Sequence, residues 1–272
     1  MVRPNVESLL SYLFPWRHVS LIRQFAGREL HARYRQSLLG ASWAVLTPLL
    51  MLAVYTFVFR FVFNLRWGVS VESDLMFALR LYAGLAVFNF FAECIGRAPR
   101  LVLDQPHLVK KVVFPLEILP WVSVLTSLAH LGIALVLLVL LGIWEQGSLH
   151  LSLIALPLVW LALLPMCVGL GWLLAALGTY VRDIGQVLGM VLSLMMFLSP
   201  IFFPIEALPP AVRPWMALNP LALTITETRS VLIDGHWPNW WALLWHLAAC
   251  CVIAVLGAVF FRTARKGFAD VV

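Results

Sequence analysis

The sequence predicts an all-α protein that crosses a membrane several times, and three observations carry that reading. Hydrophobic residues make up 62% of the chain and charged residues only 12%, against about 25% charged in soluble domains. Six apolar runs are each long enough, at about 20 residues, to cross a bilayer as helices. Lys and Arg gather in alternate connections between those runs, the pattern that orients a membrane protein.

Residues 1–41 read as a cytoplasmic and interfacial segment. From Arg17 to Arg35 it is a basic amphipathic helix. At 100° per residue, Arg17, Gln24, Arg28, His31 and Arg35 fall within an arc of about 60°. Val19, Leu21, Ile22, Phe25, Ala26, Leu30 and Tyr34 fill most of the remaining circumference. Such a helix lies in the membrane surface, its apolar side among acyl chains and its arginines among phosphates. Glu29 and Arg33 fall on the apolar side, four apart, a spacing that allows an ion pair.

A six-helix membrane domain follows, at residues 42–263, with spans expected at about 43–63, 75–95, 116–144, 151–177, 184–203 and 240–261. The fourth span is interrupted by Pro157, Pro165, Gly169 and Gly171, which buried helices tolerate when neighbours satisfy the freed carbonyls. Residues 204–239 carry Pro204, Pro209, Pro210, Pro214, Pro220 and Pro238. Between these prolines lie two helix-compatible pieces, 211–218 and 221–233, too apolar for a free loop and too short to span. They predict a pair of re-entrant or interfacial helices on the outer face. Residues 264–272 form a cytoplasmic tail, expected to end freely.

Six spans place both termini on one side. All but five of the 19 Lys and Arg residues fall on that side, the exceptions being Arg60, Arg66, Arg80, Arg213 and Arg229. The termini are therefore expected in the cytoplasm. Trp240, Trp241 and Trp245 form an aromatic belt at the outer end of the last span. The first forty residues hold no signal-peptide pattern.

The residues exclude several chemistries. The sequence lacks the phosphate-binding G-x-x-x-x-G-K-[ST] loop, the H-E-x-x-H pair and the Glu-x-x-His pairs of di-metal bundles. Cys94, Cys167, Cys250 and Cys251 have no metal-type spacing and read as small buried hydrophobes. Arg60, Arg80 and Glu93 lie toward span ends, where long side chains reach the interface, and only His130 and His246 lie deeper. A proton-coupled carrier would use a mid-membrane carboxylate, which is missing. A membrane-embedded transferase would need a constellation at one face, whereas Glu72, Asp74, Glu206, Glu227, Asp234 and His236 are scattered. The chain reads as a conduit that binds no cofactor and takes its energy from a partner. Aromatic and Met side chains enrich spans 1 and 5, and aromatic faces stack on sugar rings. Tyr55, Phe59, Met195 and Phe197 are the candidate channel residues.

A partner can push only on a cytoplasmic element joined to the spans, and the loop from Arg97 to Val113 is the longest available. It has room for a short helix with Asp104 as N-cap, Pro106 in the first turn and Lys110 and Lys111 at the C-terminal end. The His107-Leu108-Val109 stretch is expected to fill a cleft in that partner.

Several stretches resemble one family. They are RELHARYRQSLLGASWAVLTPLLMLAVYTFVF (Arg28 to Phe59), LVKKVVFPLEILP (Leu108 to Pro120), YVRDIGQVLGMVLSLMMFLSPIFFP (Tyr180 to Pro204), LNPL (Leu218 to Leu221) and the terminal FAD (Phe268 to Asp270). In this order they are similar to the type-2 ABC exporter permeases that move O-antigen, capsule polysaccharide or teichoic acid. The resemblance implies a six-span half-transporter in the bacterial inner membrane. It implies a homodimer paired with two copies of a separate ATPase, which binds the ATP and Mg. It also implies an interface helix carrying Arg28, Arg33, Tyr34 and Arg35, and a coupling helix carrying Asp104, Gln105, His107, Leu108, Val109 and Lys110. Gate helices between spans 5 and 6 and a lipid-linked glycan substrate complete the expectation, with no nucleic-acid partner. Lipid and drug exporters share the fold.

Overall fold

A computed structural model of the chain describes residues 12–35, 39–64, 67, 73–110 and 114–271, with the side chains of Tyr34 and Ala217 left out. The turn residues Ser37 and Leu38, Glu72, Lys111 and Val113 lie outside the described residues, as does the Tyr34 side chain.

All the regular structure among the described residues is helical, and they contain no strand. Helix α1 is Val19–Tyr34. Helix α2, Trp43–Thr56, continues through a wider turn at Phe57–Val62. Helix α3 is Asp74–Gly96, the short α4 is Pro106–Lys110, and α5 is Leu119–Gln146. The expected fourth span divides into a turn at Leu151–Ala155, α6 at Leu156–Leu161 and α7 at Leu164–Tyr180. Helix α8 is Ile184–Leu198, α9 is Ala222–Leu232, α10 is Trp240–Ala264 and α11 is Phe268–Val271. The span is interrupted where its prolines stand, each opening a new helix, whereas Gly169 and Gly171 lie inside α7 without breaking it. Pro157 and Pro165 stand in the first turns of α6 and α7, where a missing N–H costs nothing.

Five helical segments, 40–62, 74–100, 116–146, 151–180 and 240–271, are long and apolar enough to cross a membrane. Helix α8 is apolar but has 15 residues, about 22 Å at 1.5 Å per residue, short of a hydrocarbon layer roughly 30 Å thick. It stops at Leu198 rather than near residue 203 because Ser199 precedes Pro200 and takes an extended conformation, ψ 151°.

Helix α3 is the hub. It is apolar around its circumference, as a helix enclosed by others must be, and α2, α5, α7, α8 and α9 all pack on it. In the most apolar stretch of the second span 72% of residues are buried, against 6% in the first. Helices α7 and α10 make the closest pair. A Cβ on Gly169 would stand 2.6 Å from the Ala254 Cα, and one on Gly257 would strike the Gly169 backbone. Small residues at such crossings let backbones touch, which is how apolar helices associate without a hydrophobic drive.

Between α8 and α9 the chain folds back into the bundle. Turns at Ile205–Ala207 and Arg213–Leu218 lead to α9, which buries Ala222, Thr224, Ile225, Thr228, Arg229, Val231 and Leu232. Asn219 ties this return to the end of α8: its amide donates to Ser199 Oγ at 3.0 Å, and its oxygen accepts from the Leu221 N–H at 2.9 Å. Arg229 fixes it more firmly. Only 6% exposed, it donates to the carbonyls of Arg80 (2.7 Å), Pro200 (2.5 Å) and Ile201 (2.7 Å), and its guanidinium lies 4.2 Å over the Trp67 ring. Gly84 makes room, since a Cβ there would stand 2.6 Å from Arg229 Nη2.

Removing one partner of a buried charged network costs about 1–3 kcal/mol per group left unmet. Arg229→Met is therefore expected to lower the thermal midpoint of the purified protein by several degrees, and Gly84→Ala to lower it by less. An unchanged midpoint in both variants would show that the return segment is held by something else.

Candidate functional site

The face of the bundle that carries α1 holds two features: a clamp between α1 and α3, and the loop that joins α3 to α5. The polar arc of α1 is exposed, including Arg17, Gln24, Arg28, His31 and Arg35. Its apolar side does not lie wholly among lipids. Ile22 and Ala26 are buried against Ile118 and Val122, and the Phe25 ring lies 5.3 Å from that of Phe114. Arg28 covers the Phe25 ring at 4.4 Å.

The expected pair between Glu29 and Arg33 does not form. Each reaches instead to α3 or the residue just after it: Glu29 to Arg97 and Arg33 to Glu93. Both partners are four residues apart on their own helices, so the two ion pairs lie one turn apart and join α1 to α3 as a double clamp. His130 of α5 adds a contact from Nδ1 to Glu93 at 2.8 Å. The carboxylate side chains are only 25% and 17% exposed, so water screens them less than it screens a surface pair. Glu93 is thus a structural partner rather than a side chain reaching outward.

The loop is more tightly folded than its length suggests. Pro99 sits against Gly178, where any Cβ would strike the proline backbone, and Val102 is fully buried. Helix α4 begins at Pro106, which leaves Gln105 rather than Asp104 beside its first turn. Asp104, Pro106, His107 and Lys110 are exposed, Gln105 and Val109 half-buried. Leu108, expected to reach into a partner, is 8% exposed and belongs to the chain's own core. The reason is the tail, which does not end freely. Helix α10 runs on to Ala264, a turn follows, and α11 packs on α4. Phe268 is buried against Phe261 and Tyr180, and Tyr180 donates to the Ala264 carbonyl at 2.7 Å. Arg265 pairs with the buried Glu117 at 2.8 Å and donates to the Phe114 carbonyl at 3.2 Å. The loop, the start of α5 and the C-terminus therefore form one block.

Helices α2 and α8 carry the expected channel residues. Within the single chain they have long unpartnered faces: Leu50, Val54, Phe57 and Phe61 on one, Met190, Leu194, Phe197 and Leu198 on the other, each more than half exposed. Of the four candidates, Tyr55 lines a cavity with Thr47, Met51, Tyr82, Asn89 and Met196. Phe59 is stacked on Phe202, centroids 4.3 Å apart. Met195 and Met196 are both half-buried against the core, and Met196 is the one that lines the cavity. Phe197 is 59% exposed and lies near Phe202. Tyr82, Asn89 and Thr47 were not among the candidates. Asn89 had a signal, a lone amide within an apolar run, since polar groups at membrane depth are costly and mark function.

The chain matches the ABC-2 type transporter family over residues 20–233. It is 27% identical to the O-antigen export system permease protein RfbA of Myxococcus xanthus, over 96% of this chain and 98% of that one. It is 23% identical to the polysialic acid transport protein KpsM of Escherichia coli, over 88% and 91% of the two chains. It is also 24% identical to the capsule polysaccharide export inner-membrane protein CtrC of Neisseria meningitidis serogroup B, over 76% and 78%. With a family match across most of its length and an all-helical bundle of apolar spans, this chain belongs to the ABC-2 type transporter family.

Proposed function

We propose that this chain is the membrane-spanning subunit of an ATP-driven polysaccharide exporter, moving a lipid-linked glycan of the O-antigen type across the bacterial inner membrane. It works as a homodimer with two copies of a separate ATPase that supplies ATP and Mg. The observation that carries this reading is likeness along almost the whole chain to permeases named for O-antigen and capsule export. The unpartnered faces of α2 and α8 support a conduit between two copies. The carboxylates expected outside offer a transferase little, because Asp74 is paired with Arg60 at 2.7 Å and Asp234 with Arg80 at 2.8 Å. In proteoliposomes with the ATPase, ATP-dependent movement of lipid-linked glycan is expected. Movement of the glycan-free lipid alone would make the protein a lipid exporter instead.

Six crossings with both termini inside follow from the charge distribution. Single cysteines at Ser148 and Asn239, both exposed, are expected to react with an impermeant thiol reagent from outside, and one at Lys266 only after permeabilisation. Outside labelling at position 266 would overturn this topology.

The exposed loop residues Asp104, His107 and Lys110, with Arg28 and Arg35 of α1, form the docking face for the ATPase in this reading. The double clamp then passes movement of α1 into α3. Reversing one charge, Arg97→Glu, is expected to cut ATP-dependent export by roughly fivefold, in line with about 1 kcal/mol for a partly shielded pair. The double reversal Glu29→Arg with Arg97→Glu restores most of that loss. If the double variant is no better than the single ones, the clamp does not transmit force.

A further inference from the structure

Beside the clamp, α1, α2, α3 and α5 enclose a cavity of about 400 Å³. A smaller one of about 310 Å³ shares Thr47, Pro48, Tyr82 and Asn89 with it and runs on to Tyr55 and Met196. Together they trace a path along the inner side of α2.

Two side chains on this path have unmet chemistry. Tyr82 and Ser127 are 2% and 1% exposed, and neither hydroxyl has a hydrogen-bond partner. Burying an unpaired hydroxyl costs about 1–3 kcal/mol, and native interiors keep few such groups. Two on the wall of one cavity point to a ligand that satisfies both. Asn89 supports this. It is exposed in the cavity while its neighbours Phe88, Phe90 and Phe91 are buried. Trp43, 40% exposed, adds an aromatic ring from α2 to the lining.

The character of the ligand follows from the groups around it. Arg33 and Glu93 at one end already neutralise each other, so no free charge selects a phosphate. An acyl chain would leave the hydroxyls and the amide unmet. The described residues hold no cluster of His, Cys, Asp and Glu suited to a metal. Neutral donors and acceptors beside an aromatic face match the hydroxyls and C–H faces of a sugar ring. The volume falls within the roughly 300–1,000 Å³ of small-molecule sites.

We propose that this cavity is a glycan-binding site beside the conduit, on the inner side of α2, holding a neutral sugar ring through Tyr82, Ser127 and Asn89 with Trp43 against its face. The site rests on the polysaccharide-export reading and assigns its substrate contact to a place outside the aromatic faces of α2 and α8.

The test uses the chain assembled with its ATPase in proteoliposomes, with lipid-linked O-antigen as the probe. Tyr82→Phe and Ser127→Ala each remove only an unpaired oxygen, so thermal stability is expected to hold or rise. Export at limiting glycan is expected to fall about tenfold in the double variant and to recover at saturating glycan. That split reflects lost binding of roughly 0.5–1.5 kcal/mol per hydrogen bond. The exposed Asn89→Leu provides an independent check with the same expected KM effect. Wild-type export by both variants at every glycan concentration overturns the site. So does a loss of export that accompanies a loss of thermal stability and persists at saturation. Failure of the unmodified chain to move glycan would instead remove the export reading beneath it.

Discussion

The Arg229 guanidinium sits in the bundle interior with donors on the carbonyls of Arg80, Pro200 and Ile201. A charge in that place is stable only if its hydrogen-bond capacity is met, and three features of the fold follow from meeting it. Helix α8 ends before residue 200, which leaves the Pro200 and Ile201 carbonyls free to accept from the guanidinium, while the third bond goes to the Arg80 carbonyl within α3. Helix α3 must carry glycine at position 84, because a side chain would occupy the guanidinium's place. The segment after α8 must turn back toward α3 so that α9 can deliver the arginine. The short span, the glycine and the return loop are one constraint seen from three positions.

At the other end of α3 the charges are arranged differently. Glu93 and Arg97 project one turn apart and meet Arg33 and Glu29 of α1 in crossed order. The buried Glu117 and Arg265 tie the start of α5 to the end of α10. Helices α3, α5, α7 and α10, with the loop and tail, thus form a block held by close backbone contact and partly buried ion pairs. Helices α2 and α8 pack on α3 but bury little of their own surface, Leu52 and Leu188 being the residues buried on them.

The stretches that carried the family resemblance have physical explanations in the fold. In LNPL, Asn219 joins the return segment to Ser199. In YVRDIG, Tyr180 caps the last turn of α10 through the Ala264 carbonyl. In FAD, Phe268 fills a pocket between Phe261 and Tyr180. Each motif marks a place where two distant segments meet through one side chain.

Sequence alone determined the helical class, the apolar runs that five long helices and the shorter α8 occupy, and the helices at α1 and α9. These depend on hydrophobic runs, periodicity and proline, which act over a few turns of chain. Tertiary structure decided the rest. Glu29 and Arg33 had suitable spacing for each other, yet α3 offered each a better shielded partner. Leu108 has the sequence position of a docking side chain, yet it is buried on the short helix α4, on which α11 packs. Met196 rather than its neighbour Met195 lines the cavity beside Tyr55, because a shift of one residue is 100° around a helix and only packing fixes that rotation. The cavity groups Tyr82, Asn89 and Ser127 come from two helices, and even the nearest pair, Asn89 and Ser127, stands 38 residues apart in sequence, a distance across which no local pattern carries information.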